Sequence, residues 1–183
     1  MTWLLAGIVV FFGVHLIPAR PALRQTLIQA IGTLPYKGAF SVLAVVGLGL
    51  IITGMGRAHY VALWHPPSSA AMATAIFMAP ALILLAAANF KGNIKRIVRH
   101  PMSLGVLLWS LSHLLVNGDL AALMLFGSFA LFALYDMRAA NPPAAVPGEP
   151  VSIKPDLFAA VIGMTAYFLL IMFHETLFGV AVF

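Results

Sequence analysis

Long apolar stretches separated by short polar connections dominate this sequence, and they restrict the chain to a narrow set of folds. Six such stretches lie near residues 2–18, 38–56, 70–88, 102–116, 120–135 and 157–178. A helix needs about 20 residues to cross the hydrocarbon core of a bilayer, and lipid offers no partners to unpaired backbone groups. We therefore predict an all-α integral membrane bundle of about six transmembrane helices, with no soluble domain.

The composition favours lipid as the main solvent of this chain. Hydrophobic residues make up 62% of the sequence and charged residues 8%, which is too little polar surface to cover a water-soluble domain of this size. Cysteine is absent, which excludes disulfides, iron-sulfur clusters and thiolate-bound metals. The net charge of +5 comes from basic residues at the predicted helix ends, where lipid headgroups account for them. We expect the lipid bilayer as a partner and no nucleic acid.

The basic residues are distributed unevenly between the connections. Arg57 alone lies in the second connection, and the other basic residues all lie in the first, third and fifth. Because positively charged loops stay in the cytoplasm, we expect a multi-pass protein of the bacterial inner membrane with both termini periplasmic. A proline-rich stretch at about 139–156 favours an extended cytoplasmic loop within a single transmembrane domain that spans residues 1–183.

Histidines are the strongest candidates for chemistry inside the predicted bundle, since ionisable groups are costly in a bilayer. His15 lies in the first span, and the fourth span carries Trp109, His113 and Asn117, which are four residues apart and share one helical face. Two neutral imidazoles from different helices can hold a haem iron, whereas zinc normally takes three or four ligands. A histidine that only bonds a neighbouring helix explains His15 and His113 equally well, so both interpretations stay open.

Several segments together resemble a known group of membrane proteins. These segments are Arg99-His100-Pro101-Met102, Trp109, Ser112-His113-Leu114-Leu115 and Asn117-Gly118-Asp119, with the earlier His15 and Pro18. The combination resembles the NnrU family and the related zeta-carotene isomerases, over nearly the whole chain in the number and order of spans. On the NnrU side the resemblance implies an inner-membrane protein linked to nitric oxide metabolism or denitrification. On the isomerase side it implies a haem b protein whose iron acts in cis-trans isomerisation of a lipophilic polyene.

The resemblance also implies roles for individual residues. His15 and His113 match the haem-ligand positions, and His100 and His59 are further matched histidines. The candidate cofactor-binding residues are therefore His15, His113, His100, Arg99, Trp109 and Asn117, with His15 and His113 as the metal ligands. The isomerase pattern has a cysteine where this chain has Ser110, and a serine hydroxyl is a poor iron ligand, which argues against ligand exchange here.

Two other classes of function stay open at this stage. The Arg99-His100-Pro101 run also resembles membrane methyltransferases that use S-adenosylmethionine, but their paired glutamates are missing from the stretch Tyr135-Asp136-Met137-Arg138-Ala139-Ala140. Methyl transfer therefore ranks second. A non-catalytic factor that supports the assembly of respiratory complexes is the third class. The sequence fixes neither the substrate nor the oligomeric state, and it leaves open whether His59 and His174 take part.

Overall fold

A computed structural model describes residues 1–139, 152–180 and 182 of the chain. This part of the chain contains no β-strand and forms eight α-helices. They are α1 (Thr2–His15), α2 (Pro21–Ile31), α3 (Thr33–Gly56), α4 (Ala70–Ala87), α5 (Asn93–Val98), α6 (Pro101–Val116), α7 (Leu120–Ala139) and α8 (Lys154–Phe178). The all-helical prediction is confirmed, while most of the proline-rich loop predicted at about 139–156 lies outside the described residues.

Each predicted span coincides with a helix, but the helices differ in length. In the described part of the chain, α3, α4, α7 and α8 are long and apolar enough to cross a membrane. The apolar helices α1 and α6 have 14 and 16 residues, so they are about 21 and 24 Å long, against a hydrocarbon core of about 30 Å. The described residues therefore contain four apolar helices of membrane-spanning length, which suggest a membrane protein, and six spans remain a prediction.

Two short helices were not predicted, because neither has a long apolar run. Pro21 begins α2, where its fixed φ suits the first helical position, and Gly32 ends it at a φ of 89°. The other, α5, has six residues and lies in the third connection. The segments that form α2 and α5 were expected to be loops between spans, and the structure shows them as helices.

The described residues group into two compact units. The first contains Met1–Trp64 and Asp119–Ser128, which are α1, α2, α3 and the first half of α7. Its core is a cluster of Leu4, Ile8, Ile51 and Ala121. The loop after α3 is joined to the start of α7, because the Leu120 N–H donates a hydrogen bond to the Val61 carbonyl at 2.9 Å.

Glycines allow α1 and α3 to pack almost backbone to backbone in the first unit. A Cβ added at Gly47 would lie 2.8 Å from the backbone nitrogen of Phe11, and one at Gly54 would lie 2.5 Å from the Cα of Leu4. Small residues permit this close approach between membrane helices. Among the glycines of α3, Gly47 and Gly54 make this close approach. Gly49 and Gly56 have no such neighbour within 4 Å.

The second unit contains His65–Gly118 and Phe129–Phe183, and its central helix is α4. This helix packs against α6 on one side and α8 on another. Gly163 of α8 allows the close approach there, since a Cβ at this position would lie 2.6 Å from the Cα of Ile83. Between α4 and α6, the buried Thr74 hydroxyl donates to the Ser112 carbonyl at 2.8 Å. This interhelical hydrogen bond fixes α6, which carries the predicted site residues.

Candidate functional site

A ladder of hydrogen bonds links the three polar residues on one face of α6. The Nδ1 atom of His113 lies 2.8 Å from the Trp109 carbonyl oxygen, and the Asn117 side-chain amide donates to the His113 carbonyl at 2.8 Å. The indole of Trp109 also packs against the imidazole, with ring centroids 5.1 Å apart. The spacing of four therefore gives one continuous polar face, and the His113 ring is held by a hydrogen bond and a ring contact together.

His15 has the same arrangement in the other unit. It is the last residue of α1, and its Nδ1 atom lies 2.6 Å from the Phe11 carbonyl oxygen. Its ring stacks on Phe11 at a centroid distance of 4.1 Å and meets the edge of Phe40 at 5.1 Å. A hydrogen bond to the preceding turn and aromatic contacts thus hold this half-buried imidazole as well.

The shared arrangement has a chemical consequence for both histidines. A carbonyl oxygen only accepts hydrogen bonds, so Nδ1 carries the proton in a neutral ring and Nε2 carries the lone pair. Histidines that bind metals commonly donate their other ring N–H to a carbonyl, which fixes the tautomer and the ring orientation. The donor chemistry of His15 and of His113 therefore fits that of an axial haem ligand.

Three of the remaining histidines differ from these two in their surroundings, and the fourth, His174, shares the contact between Nδ1 and a carbonyl oxygen. His59 and His65 are exposed in the loop after α3, and His100 precedes the first residue of α6. In α8, His174 has its Nδ1 atom 2.6 Å from the Val180 carbonyl oxygen beyond the end of the helix. His174 is close enough to His113 for charge on either ring to act on the other. Within the described residues, no group of three or more His, Asp or Glu side chains could hold a metal ion.

The Arg99-His100-Pro101 run forms a strained turn between α5 and α6. Arg99 has φ 63° and ψ −47°, and the His100 N–H donates to the Val98 carbonyl at 2.7 Å. These angles and this hydrogen bond define a γ-turn of the rare type with positive φ. Pro101 begins α6, and its fixed φ suits the first helical position. Backbone strain of this kind costs about 1–3 kcal/mol and concentrates at functional sites, which adds a structural reason to consider the exposed Arg99.

The comparison with known families bears on this same segment. A family model described as NnrU protein matches residues 3–182, nearly the whole chain. The chain belongs to the NnrU family. The comparisons with curated proteins and with solved structures found no match. The resemblance carried by the stretch from Arg99 to Asp119 is thereby confirmed at the level of the family.

Two serines on α6 of this NnrU-family chain have defined partners. Ser103 donates to a carboxylate oxygen of Asp136 in α7 at 2.5 Å. Ser110 is fully buried and donates to the Val106 carbonyl of its own helix at 2.8 Å. Because the Ser110 hydroxyl is used within α6, its geometry gives no support to a ligand role at the position where the isomerases have a cysteine.

A further polar contact, between α5 and α8, was missed from the sequence. The Asp156 carboxylate in the first turn of α8 accepts hydrogen bonds from the backbone N–H groups of Asn93 and Ile94 and from the Asn93 side chain, each at 2.9 Å. It therefore caps the start of α5, whose first amides have no partner within that helix. The available signal was an acidic residue at the start of an apolar helix, but its partner could not be identified at a sequence separation of 63 residues.

Proposed function

We propose that this NnrU-family protein is a bacterial inner-membrane protein that binds haem b, which His15 and His113 would hold through their imidazoles. Its role would be a redox or nitric-oxide-linked step, with cis-trans isomerisation of a lipophilic polyene as one form of that step. One observation supports the proposal above the others. Each of the two histidines has Nδ1 tied to the carbonyl four residues earlier, at 2.6 Å for His15 and 2.8 Å for His113, so that Nε2 is the ligand atom.

The side chains around the two histidines would prepare each ring for that role. The carbonyls of Phe11 and Trp109 keep the proton on Nδ1, and the neighbouring aromatic rings restrict rotation of each imidazole. A neutral imidazole whose Nδ1–H is held by a carbonyl has the tautomer and the orientation that metal-binding histidines commonly have. Bound haem would supply one-electron iron chemistry, with a potential set by its ligands and by burial.

The proposal includes six spanning helices with both termini in the periplasm, and the lack of cysteine permits a clean test of this topology. Arg57→Cys introduces a single thiol into the second connection, and Lys95→Cys introduces one into the third. Both positions are exposed in the structure. In intact spheroplasts, a membrane-impermeant thiol reagent should label the cysteine at position 57 and leave the one at 95 unlabelled until lysis. The reverse pattern, or equal labelling, would contradict the topology.

Haem binding is tested by the absorption spectrum of the protein purified in detergent from haem-supplemented cells. We expect a Soret band in the wild type and its loss or strong weakening in His15→Ala and in His113→Ala, with partial recovery when free imidazole is added. His65→Ala is the matched control, because this loop histidine is exposed, and it should leave the band unchanged. His174→Ala tests the other histidine near His113, and loss of the band in this variant alone would contradict the ligand pair.

The two other classes of function predict different results from the same preparation. A colourless protein that binds S-adenosylmethionine would replace the proposal with methyl transfer, in which Arg99 and His100 would act at the cofactor. A colourless protein recovered with respiratory complexes would favour an assembly factor. The half-buried Asp136 is relevant to the first of these classes, because it is the carboxylate in the stretch where those methyltransferases have paired glutamates. Its carboxylate accepts a hydrogen bond from Ser103, and Ser103 follows the Arg99 turn closely in the sequence.

A further inference from the structure

A pocket in the first unit lies where α1 ends and where α2 and α3 meet. Its volume is about 260 Å³, and it is lined by Pro18, Arg24, Tyr36, Lys37, Phe40 and Ser41. Pockets for drug-sized ligands are typically about 300–1,000 Å³, so this one suits a small group. None of the haem-ligand candidates lines it, and the proposed function does not use it.

The two cations that line this pocket have no carboxylate near them in the first unit. Arg24 and Lys37 are both exposed and cationic, and the sequence contains no Asp or Glu before Asp119. Asp119 is the one acidic residue of the first unit. Its backbone forms an antiparallel bridge with Ala62, which follows the far end of α3. Because α3 has 24 residues, that end lies about 36 Å from its start. No carboxylate of the first unit therefore balances these two cations at close range.

Tyr36 supplies an independent sign of a bound group. Its side chain is 8% exposed, it lines the pocket, and its hydroxyl is buried with no hydrogen-bond partner among the described residues. Buried hydroxyl groups are nearly always bonded, since leaving one unpaired costs the free energy of its lost hydration. A phenol can donate to an oxyanion, so a phosphate that displaces the contacts covering this hydroxyl would satisfy Tyr36 as well as Arg24 and Lys37.

The surroundings of the pocket indicate lipid and not water as the source of that anion. The apolar residues Leu23, Leu27 and Ile31 are four residues apart, so they share one face of α2, and no residue of this helix is buried within the protein. Such a helix lies in the headgroup region with its apolar face in the acyl boundary. Phe40 and Pro18, which belong to the first unit as α2 does, form an apolar wall of the pocket.

We propose that the pocket between α2 and α3 binds the phosphate of an anionic phospholipid, with Arg24 and Lys37 as the cations and the Tyr36 hydroxyl as a hydrogen-bond donor. The apolar wall then contacts the glycerol and the first part of the acyl chains. A single headgroup held in this way would fix α2 at the membrane surface beside the end of α1.

The test measures the binding of dioctanoyl phosphatidylglycerol to the detergent-purified full chain by native mass spectrometry. Removing either charge, in Arg24→Gln or in Lys37→Gln, should weaken binding about fivefold, as expected for one cation near an anionic lipid. Tyr36→Phe should also weaken it, because the donor is lost while the ring stays. Lys37→Arg should retain binding, which separates loss of the site from a failure to fold.

Three comparisons can overturn the proposal. Arg57→Gln is the matched control, because Arg57 is exposed at the opposite end of α3, and it should change binding less than twofold. If it weakens binding as much as Arg24→Gln, the lipid is held by general charge and not by the pocket. Inorganic phosphate that binds as tightly as the lipid would exclude a lipid as the specific ligand. Dioctanoyl phosphatidylcholine that binds as tightly as phosphatidylglycerol would show that the cations do not recognise net negative charge.

Discussion

Close packing of α1 on α3 predicts opposite effects for two similar substitutions in the same helix. In Gly54→Ala, the new Cβ would lie 2.5 Å from the Cα of Leu4 and 2.8 Å from its Cβ, whereas carbon atoms normally approach to about 3.5–4.0 Å. The nearest atoms belong to the backbone of α1, so the whole helix must move. In Gly49→Ala, the new Cβ meets no atom within 4 Å outside its own helix.

The size of the effect follows from these contacts. Overpacking of this kind costs about 1–3 kcal/mol, so Gly54→Ala should lower the free energy of unfolding by that amount. Replacing a helical glycine with alanine in open space stabilises by about 0.5–1 kcal/mol, so Gly49→Ala should raise it. The two variants should therefore differ by about 1.5–4 kcal/mol, although both add one methyl group to one helix.

Reversible unfolding in mixed detergent and lipid micelles measures this difference directly, with the wild type and both variants in the same micelle. Gly47→Ala provides a second test, because its Cβ would lie 2.8 Å from the backbone nitrogen of Phe11. It should behave like Gly54→Ala. Equal stabilities for Gly54→Ala and Gly49→Ala would refute the glycine-mediated contact between α1 and α3.

Three further predictions follow from other contacts. Arg99→Gly should be more stable to unfolding than Arg99→Ala by about 1 kcal/mol, because glycine adopts the positive φ of the turn without strain, and equal stabilities would contradict the γ-turn. Thr74→Val should lower the free energy of unfolding by about 1 kcal/mol through loss of the hydrogen bond to Ser112, whereas Thr26→Val, whose exposed hydroxyl bonds only within α2, should change it little. Asp156→Asn should speed amide hydrogen exchange at Asn93 and Ile94, with Glu175→Gln as the control, and unchanged exchange would show that Asp156 does not hold the start of α5.

The apolar pattern was sufficient to predict the helices that form the membrane protein. Runs of about 20 apolar residues can only be helical in lipid, so α3, α4, α7 and α8 follow from hydropathy alone. The residue before α7 is of a type that commonly caps helices: the Asp119 side chain accepts from the Ala122 N–H at 3.0 Å. The helices α2 and α5 were not predicted, because short polar helices depend on neighbouring residues that hydropathy does not reveal.

The candidate site was predictable on α6 and much less so elsewhere. A spacing of four places Trp109, His113 and Asn117 on one face, and the hydrogen bonds between them follow from helix geometry. The role of Arg99 as the centre of a strained turn could not be read from its sequence neighbours, since positive φ at a residue other than glycine depends on how α5 and α6 meet. The contact between Asp156 and Asn93 depends on tertiary structure in the same way.

Electron paramagnetic resonance of the oxidised, purified protein is the most direct test of haem ligation by His15 and His113. A pair of histidine ligands predicts a low-spin ferric signal in the wild type, at one haem per chain. In His113→Ala and in His15→Ala this signal should give way to a high-spin signal, and free imidazole should restore the low-spin form. A wild-type protein with no haem signal after expression in haem-supplemented cells, or a low-spin signal that survives both substitutions, would contradict ligation by these two residues.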